Sequence, residues 1–244
     1  MSATEADDIK RVIADTFVAI GTVARALHVQ DARLQPTLDA ITAHAAAAHP
    51  AAKDAGLILL IGGKLIPQAT TGRAPQLLDI KQQETGQGPC IEAAREQTLI
   101  CLNDLRQDPR WPEFSAEAQA RGVSSMLCAP LWINQRTLGA LTLYAAQPGA
   151  FSEHDERIIE LFATLAALAL AEAQRTDHLR AALVHRDVIG QAKGIIMERY
   201  KINPDAAFST LTRISQHRNI KLHEVARQLI ETGQLPDTTE LGDG

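Results

Sequence analysis

The chain is poor in cysteine, in aromatic residues and in positive charge. Its three cysteines, Cys90, Cys101 and Cys128, are an odd number and form no C-x-x-C pair, so the sequence indicates neither a disulfide framework nor a zinc knuckle. Only 4% of the 244 residues are aromatic whereas 45% are hydrophobic, so the core must be largely aliphatic. The net charge of −5 excludes a globally basic nucleic-acid binder.

The sequence also lacks a secretion signal and a membrane-spanning run. Its first residues, MSATEADD, are acidic and contain no apolar run after a basic start. The longest membrane-like stretch, 161–171, lies between Glu160 and Glu172 and is much shorter than the roughly 20 apolar residues that a crossing helix needs. We therefore expect a cytoplasmic protein without membrane contact.

Motifs of catalysis and cofactor binding are absent as well. The Gly62-Gly63-Lys64 triplet follows Ile58 where a phosphate loop needs glycine, so we interpret it as a hairpin turn. No G-x-S-x-G or H-E-x-x-H occurs, and the histidines of the helical segments lack partners at metal spacing, which favours surface histidines. These histidines are His44, His49, His154 and His178. We expect no enzyme, no metal and no cofactor, with a reactive Cys90 thiol at a helix start as the enzymatic alternative.

The spacing of apolar residues predicts an α+β architecture. Helical spacing predicts helices over residues 6–28 and from Pro36 to Pro50. From residue 57, short apolar runs predict an antiparallel sheet, and Gly88-Pro89 predicts a helix start between its strands. The predicted strands are 57–61, a return strand after Gly62-Gly63, 98–102, 123–133 and 137–146.

One long helix, or two joined end to end, is predicted after the sheet. Ser152 and Asp155 form a capping-box-like start, and no proline interrupts the segment before Pro204. The apolar stripe of this helix needs a cover, so we expect a homodimer through a parallel coiled coil. The heptad register places Glu172 and Arg175 in the seam of that coiled coil.

The C-terminal part of the chain is basic, unlike the rest. Residues 1–179 carry 15 basic and 21 acidic side chains, whereas residues 180–235 carry 9 and 5. The tail, 236–244, adds three acids. A basic segment on an acidic protein is typical of a segment that alone meets a polyanion.

Two polar clusters lie within this basic segment, at 191–194 and 215–221. The second joins two predicted helices, one beginning at Pro204 and one near Lys221. The first of these helices carries Ala207, Phe208, Leu211, Ile214 and Ser215 on one side. Turn formation alone explains small polar residues at a junction, but cations beside amide and hydroxyl groups are the usual combination for nucleic-acid recognition. Gly194 inside a helix indicates the close approach of another backbone.

Residues 186–233 resemble an ANTAR domain, the three-helix RNA-binding module of bacterial transcription antiterminators. The matching elements are Q-A-K-G-I-I-M at 191–197, D-A-A-F at 205–208, S-Q-x-x-N-x-K at 215–221 and Val225-Ala226. The resemblance implies phosphate contacts by Lys193, Arg218 and Lys221, and base contacts in RNA loops by Gln191, Ser215, Gln216 and Asn219. It also implies close packing at Ala192 and Gly194, and a three-helix core containing Met197, Ala206, Leu211 and Ala226.

Residues 56–175 resemble a GAF sensory domain of the kind that precedes ANTAR in actinobacterial regulators. The matching elements are Gly86-x-Gly88-Pro89-Cys90, Asp104-Leu105, Asp108-x-Arg110-Trp111-Pro112, Ala129-Pro130-Leu131, 138–144 and Ala150-Phe151-Ser152. The resemblance implies a ligand pocket between the sheet and the segment 84–111. The sequence leaves its small-molecule ligand unspecified, because it has neither the ligand set of known GAF cofactors nor the paired cysteines of GAF-fold reductases. A purely structural, dimerising domain is the alternative.

Together the two resemblances imply a homodimeric regulator that binds tandem stem-loops in a nascent leader RNA and stabilises them against a competing terminator. The expected organisation is 1–50 for helices joining the GAF helical layer, 51–175 for the GAF domain, 176–235 for the ANTAR domain and 236–244 for a flexible acidic tail. Two other functions stay open. One is a small-molecule or redox sensor acting through a protein partner. The other is a helix-turn-helix DNA binder, which the small polar junction fits less well than it fits single-stranded loops.

Overall fold

The computed structural model describes residues 33–235, so the helix expected over 6–28 lies outside the described residues. The chain divides into two compact units between Arg175 and Thr176. The helices are α1 (Leu34–Ala48), α2 (Arg73–Thr85), α3 (Pro89–Glu96), α4 (Pro112–Ala120), α5 (Glu153–Tyr200), α6 (Pro204–Arg218) and α7 (Leu222–Thr232). The strands are β1 (Asp54–Ile61), β2 (Lys64–Thr70), β3 (Ile100–Leu102), β4 (Ser125–Ile133) and β5 (Arg136–Ala145). None of these helices has the length and the apolar character of a membrane span.

The first unit is built on one five-stranded antiparallel sheet with the order β2-β1-β5-β4-β3, which confirms the predicted α+β fold. Two hairpins fix its registers. Gly62 and Gly63 join β1 to β2, and Asn134 and Gln135 join β4 to β5, all four with positive φ. Two left-handed residues in a row match the twist of the flanking strands, so each short turn holds its hairpin in register.

Helices cover both faces of the sheet. α1 and the first part of α5 pack on one face, where Leu127 and Ala129 of β4 point. α2, α3 and α4 pack on the other face, where Met126 and Cys128 point. Successive side chains of a strand point to opposite faces, and both faces are buried here, so β4 is apolar at nearly every position.

α5 is a single helix from Glu153 to Tyr200, the first of the two predicted alternatives. Its start is a capping box. The Ser152 N–H donates to Asp155 Oδ2 (2.8 Å), and the Asp155 N–H donates to Ser152 Oγ (3.4 Å). His49 is not the surface residue expected, because it is partly buried with its Nε2 2.8 Å from Asp155 Oδ1.

The apolar stripe of α5 changes its environment along the helix. Up to Ala171 the stripe packs against the sheet and α1, and Ala173 is the last buried residue before Ala192. Between Ala173 and Ala192 no residue of α5 is buried by the described chain, and Leu179 and Leu183 are exposed. This middle part of α5 therefore offers an uncovered apolar face.

The second unit contains the end of α5 together with α6 and α7, as predicted for the C-terminal helices. Its core consists of Ala192, Ile196, Ala207, Leu211, Ile214, Val225, Ala226 and Leu229, with Met197 packed at its edge. One expectation for this core is wrong: Ala206 is only partly buried, because Ala207 takes the central position. Phe208, which the helical spacing places on the apolar side of α6, is 43% exposed. Residues 207, 211 and 214 form the buried stripe, and residues 206 and 208 flank it.

Candidate nucleic-acid interface and sensor core

The junction between α6 and α7 is a compact, mostly exposed turn. Asn219 ends α6 in the left-handed conformation (φ +52°), and its N–H donates to the Gln216 carbonyl (3.3 Å). The Ser215 hydroxyl donates to the Ile220 carbonyl (2.6 Å), so its only hydrogen already closes the turn. The Gln216 and Asn219 side chains are exposed, and Lys221 caps α7 at the surface. The turn thus presents two amides and a cation to an external partner.

The candidates on α5 form a second group. Gln191 and Gly194 are exposed, and Lys193 is partly buried with its Nζ 5.9 Å from the centre of the Phe208 ring. A Cβ added at Gly194 would meet no atom of residues 33–235 within 4 Å. The close packing expected at Gly194 is therefore absent within this part of the chain, and Ala192 is the small residue in the core. The space at Gly194 is open to an external partner.

Two contacts fix the position of α7 along α5. The His185 ring stacks on the His223 ring of α7, with centroids 3.6 Å apart and planes 9° from parallel. At the other end, Arg199 donates to the Gly233 carbonyl (2.6 Å). α7 therefore runs beside α5 from the level of His185 to that of Arg199. Lys193 follows His185 by eight positions, a rise of about 12 Å, so the junction and the α5 group are separate patches.

Some basic side chains of the second unit have an acidic or carbonyl partner, and others have no carboxylate partner within residues 33–235. Lys201 pairs with Glu198, and Arg199 is occupied by the carbonyl just described. Lys193 and Lys221 have no carboxylate partner among the described residues. Burial and then the adjoining His185 lower the pKa of His223, Glu224 opposes them, and Lys221 and Arg227 lower the pKa further. Lys221 and Arg227 are thus the cations nearest the start of α7, beside the carboxylate of Glu224.

Sequence reasoning missed Phe208 as a functional candidate. Helical spacing placed it on the apolar side of α6, whereas the structure exposes its ring beside Lys193. An exposed aromatic ring next to a cation is a typical platform for nucleic-acid bases. The available signal was the spacing of the stripe, because 207, 211 and 214 recur at four and three positions and position 208 lies to one side of them.

The first unit holds two clefts beside the segment 84–111. One, of about 510 Å³, lies between the β1–β2 hairpin and α3, with Lys64, Gln83 and Arg95 among its lining residues. The other, of about 260 Å³, is lined by Lys81, Trp111 and neighbours. Among the residues that the structure describes, no three His, Cys, Asp or Glu side chains are grouped as metal ligands.

A cluster of polar side chains fills the interior between the sheet and α2 and α3. Its members are Asp79, Gln82, Cys90, Cys128, Thr142 and Tyr144. Gln82 accepts from the Cys90 N–H (2.9 Å) and donates to Cys90 Sγ (3.0 Å), and Tyr144 donates to Asp79 Oδ1 (2.5 Å). The Sγ atoms of Cys90 and Cys128 are 4.0 Å apart. Both are free thiols, and their proximity is a feature that the spacing of the cysteines in the sequence did not indicate.

Comparisons with known proteins match both units. The family model for the GAF domain matches residues 31–171, and that for the ANTAR domain matches residues 177–230. No curated protein matches the chain.

Solved structures resemble the first unit. The GAF domain of a phosphoenolpyruvate-protein phosphotransferase from Coxiella burnetii is 20% identical with a TM-score of 0.53, over 67% of this chain and 96% of that one. The free methionine-R-sulfoxide reductase from Neisseria meningitidis, in complex with its substrate, is 14% identical with a TM-score of 0.51, over 65% and 89%. These identities show a shared fold and nothing of activity. From the two domain matches, the chain belongs to the GAF domain family and carries a C-terminal ANTAR domain, the architecture of a GAF-ANTAR regulator.

Proposed function

We propose that this protein is an RNA-binding transcription antiterminator whose GAF domain controls the binding of its ANTAR domain to tandem stem-loops of nascent leader RNA. The observation that carries this proposal is the group of surface cations and amides beside the exposed Phe208 ring on the ANTAR unit of an acidic protein. Residues 180–235 carry 9 basic against 5 acidic side chains, so a polyanion is attracted to this segment in preference to the rest.

The two surface patches suit different parts of a hairpin. Lys193, Arg218 and Lys221 provide cations for phosphates, whereas Gln191, Gln216 and Asn219 provide amides for base edges. Ser215 can only accept, because its hydrogen closes the turn. Phe208 adds a stacking surface beside Lys193. In a hairpin loop the bases are unstacked and can be read in this way, which a uniform duplex does not allow.

Binding to tandem stem-loops needs two ANTAR units, which we assign to a homodimer formed through α5. Leu168 and Leu179 are exposed in the predicted heptad seam, with the exposed Glu172 and Arg175 between them. A second copy of α5 would cover these leucines. A ligand or partner of the GAF domain, still unspecified, then acts by shifting the population of paired helices that present both basic surfaces.

Lys193→Ala tests the phosphate-binding patch. We expect this variant to weaken binding to every hairpin by about 3- to 10-fold and to reduce the slope of log affinity against log salt by about one, because one phosphate contact is lost. Arg213→Ala is the matched control. Arg213 is exposed on α6 and lies five positions after Phe208, about 140° around the helix.

Salt-titrated binding of both variants to a two-hairpin RNA measures this difference. Equal losses for Lys193→Ala and Arg213→Ala would indicate a diffuse charge effect and would contradict the assigned patch. Unchanged binding in both variants would move the interface away from Lys193.

A further inference from the structure

The two buried cysteines of the GAF core form a pair that neither the fold nor the proposed function requires. Cys90 is the second residue of α3, and Cys128 lies in the middle of β4. Both are free thiols and fully buried, and their Sγ atoms are 4.0 Å apart. They are 38 positions apart in the sequence, so the packing of α3 on the sheet brings them together.

The surroundings of the two sulfur atoms differ. Gln82 Nε2 donates to Cys90 Sγ (3.0 Å), and the Thr142 hydroxyl lies 3.1 Å from it. Such donors stabilise a thiolate. Burial raises the pKa of the Cys90 thiol, but the hydrogen bonds from Cys128, Thr142 and Gln82 outweigh it and bring the pKa to about 7. Burial and the neighbouring Cys90 raise the pKa of Cys128, so Cys90 is the nucleophile of the pair.

A proton acceptor lies beside the Cys90 thiol. Asp79 Oδ1 is 3.8 Å from Cys90 Sγ. The other oxygen, Oδ2, is buried without a hydrogen-bond partner among the described residues. A buried carboxylate oxygen without a donor has capacity to take up a proton from a neighbour. The cluster thus combines a thiol, its proton acceptor and a second thiol.

We propose that Cys90 and Cys128 are a peroxide oxidation site that closes to an intramolecular disulfide. The Cys90 thiol gives its proton to Asp79, and the thiolate attacks one oxygen of hydrogen peroxide. The O–O bond breaks, and the leaving hydroxide takes the proton from Asp79, which gives water and a sulfenic acid. The Cys128 sulfur then attacks Cys90 Sγ, and the displaced hydroxyl leaves as a second water with the Cys128 proton. Two thiols are oxidised by two electrons, and one peroxide is reduced to two waters.

The geometry allows this closure. A disulfide needs its sulfur atoms about 2 Å apart, so the pair must approach by about 2 Å, a distance within reach of a side-chain rotation or a small shift of α3. Hydrogen peroxide is only slightly larger than water. A local opening of α3, the helix that carries Cys90, is therefore enough to admit it. The product ties α3 to β4.

The third cysteine provides an internal control. Cys101 lies in β3 opposite Leu127 and is half-buried. Burial and Glu156 raise its pKa to about 12, so it is a poor nucleophile. Cys101→Ser therefore leaves the proposed pair intact.

The test oxidises the reduced full-length protein with hydrogen peroxide, alkylates the remaining thiols after denaturation and measures the intact mass. We expect the wild type to lose two of its three alkylation sites and to regain them with dithiothreitol. We expect Cys101→Ser to lose both remaining sites, and a peptide map to show Cys90 linked to Cys128. Cys90→Ser and Cys128→Ala should form no intramolecular link, with circular dichroism checking their fold.

Three outcomes would overturn the proposal. In the first, all three thiols of the folded wild type stay alkylatable. In the second, oxidation consumes only Cys101 and links separate chains. In the third, the link survives in Cys128→Ala. None of these outcomes touches RNA binding by the ANTAR unit, so the proposed function is tested separately.

Discussion

Asp79 shows how one buried residue makes the stability of the GAF core depend on pH. Burial, and then the neighbouring Cys90, raise the pKa of this carboxyl well above its ordinary value, although the Tyr144 hydroxyl opposes them. A carboxyl whose pKa rises on folding binds more protons in the folded state than in the unfolded state. Its contribution is therefore fully present below the unfolded pKa and is lost as pH rises through the folded pKa.

Asp79→Asn removes this pH dependence and keeps the shape of the side chain. Its amide oxygen can still accept from Tyr144, which now donates to Asp79 Oδ1 over 2.5 Å. We expect the midpoint of thermal unfolding of the variant, relative to the wild type, to rise as pH increases from 5 to 8. Paired melting curves at several pH values measure it. If the midpoint of the variant instead falls relative to that of the wild type as pH rises, folding does not raise the pKa of Asp79, and the account is contradicted.

Asn219 combines a backbone role with the proposed reading of bases. Its left-handed φ of +52° is one that alanine adopts only with strain, so Asn219→Gly removes the amide and keeps the turn. We expect this variant to bind a scrambled loop as the wild type does and to bind a matched loop less tightly, so the ratio of the two affinities falls. Competition binding with both RNAs gives that ratio. An equal loss on both loops would refute base reading by Asn219.

Some residue-level features could not be predicted because they depend on packing between distant segments. The pairing of Cys90 with Cys128 arises only when α3 lies on the sheet. Helical spacing alone placed both Ala207 and Phe208 on the apolar side of α6, and it cannot tell which of the two is buried. Tertiary packing gave that place to Ala207.

At the scale of elements, the sequence predicted correctly those turns and helix starts that a few adjacent residues determine. The Gly62-Gly63 hairpin, the helix start at Pro89 and the capping box of α5 are each encoded by a few adjacent residues, and each is present. α2 was not predicted. It follows Gly72 without a capping side chain, and its buried residues include the polar Asp79 and Gln82, so no apolar stripe marks it.

The two glycines of α5 in the ANTAR unit offer a test at this scale. A Cβ at Gly190 or Gly194 would meet no atom of the described chain within 4 Å. Each glycine-to-alanine change should therefore stabilise the helix by up to about 1 kcal/mol. Only Gly194→Ala should also weaken RNA binding, because the proposed interface includes Gly194 and not Gly190.

Thermal unfolding and RNA titration on both variants separate the two effects. Weaker binding by Gly194→Ala, despite an equal or higher melting temperature, would show that the RNA approaches the backbone there. If Gly194→Ala binds as tightly as Gly190→Ala, Gly194 lies outside the interface.

At the scale of the whole molecule, α5 is the element that both units share. Its residues belong to the core of the GAF unit up to Ala171 and to the core of the ANTAR unit from Ala192. The exposed leucines lie in and beside the intervening stretch. In the proposed homodimer, a change in how two copies of α5 pair is therefore the simplest physical route between the GAF unit and the ANTAR unit.

The two-unit organisation was accessible from the sequence because charge and motif both change near the same place. The lining of the clefts in the GAF unit was not, since each cleft is formed by side chains of separate elements, such as Lys64 and Arg95. Its chemistry follows from no short motif. The sequence thus says more about the function of the ANTAR unit than about the function of the GAF unit.

The most direct test of the central claim is a salt-titrated binding assay with the full-length protein. Three nucleic acids are compared: a two-hairpin leader RNA, the same RNA with scrambled loops, and duplex DNA. Our account predicts tightest binding to the matched RNA, with an affinity that falls as salt increases. Equal binding to all three, or none, by a protein shown to be folded would contradict RNA recognition by the ANTAR unit.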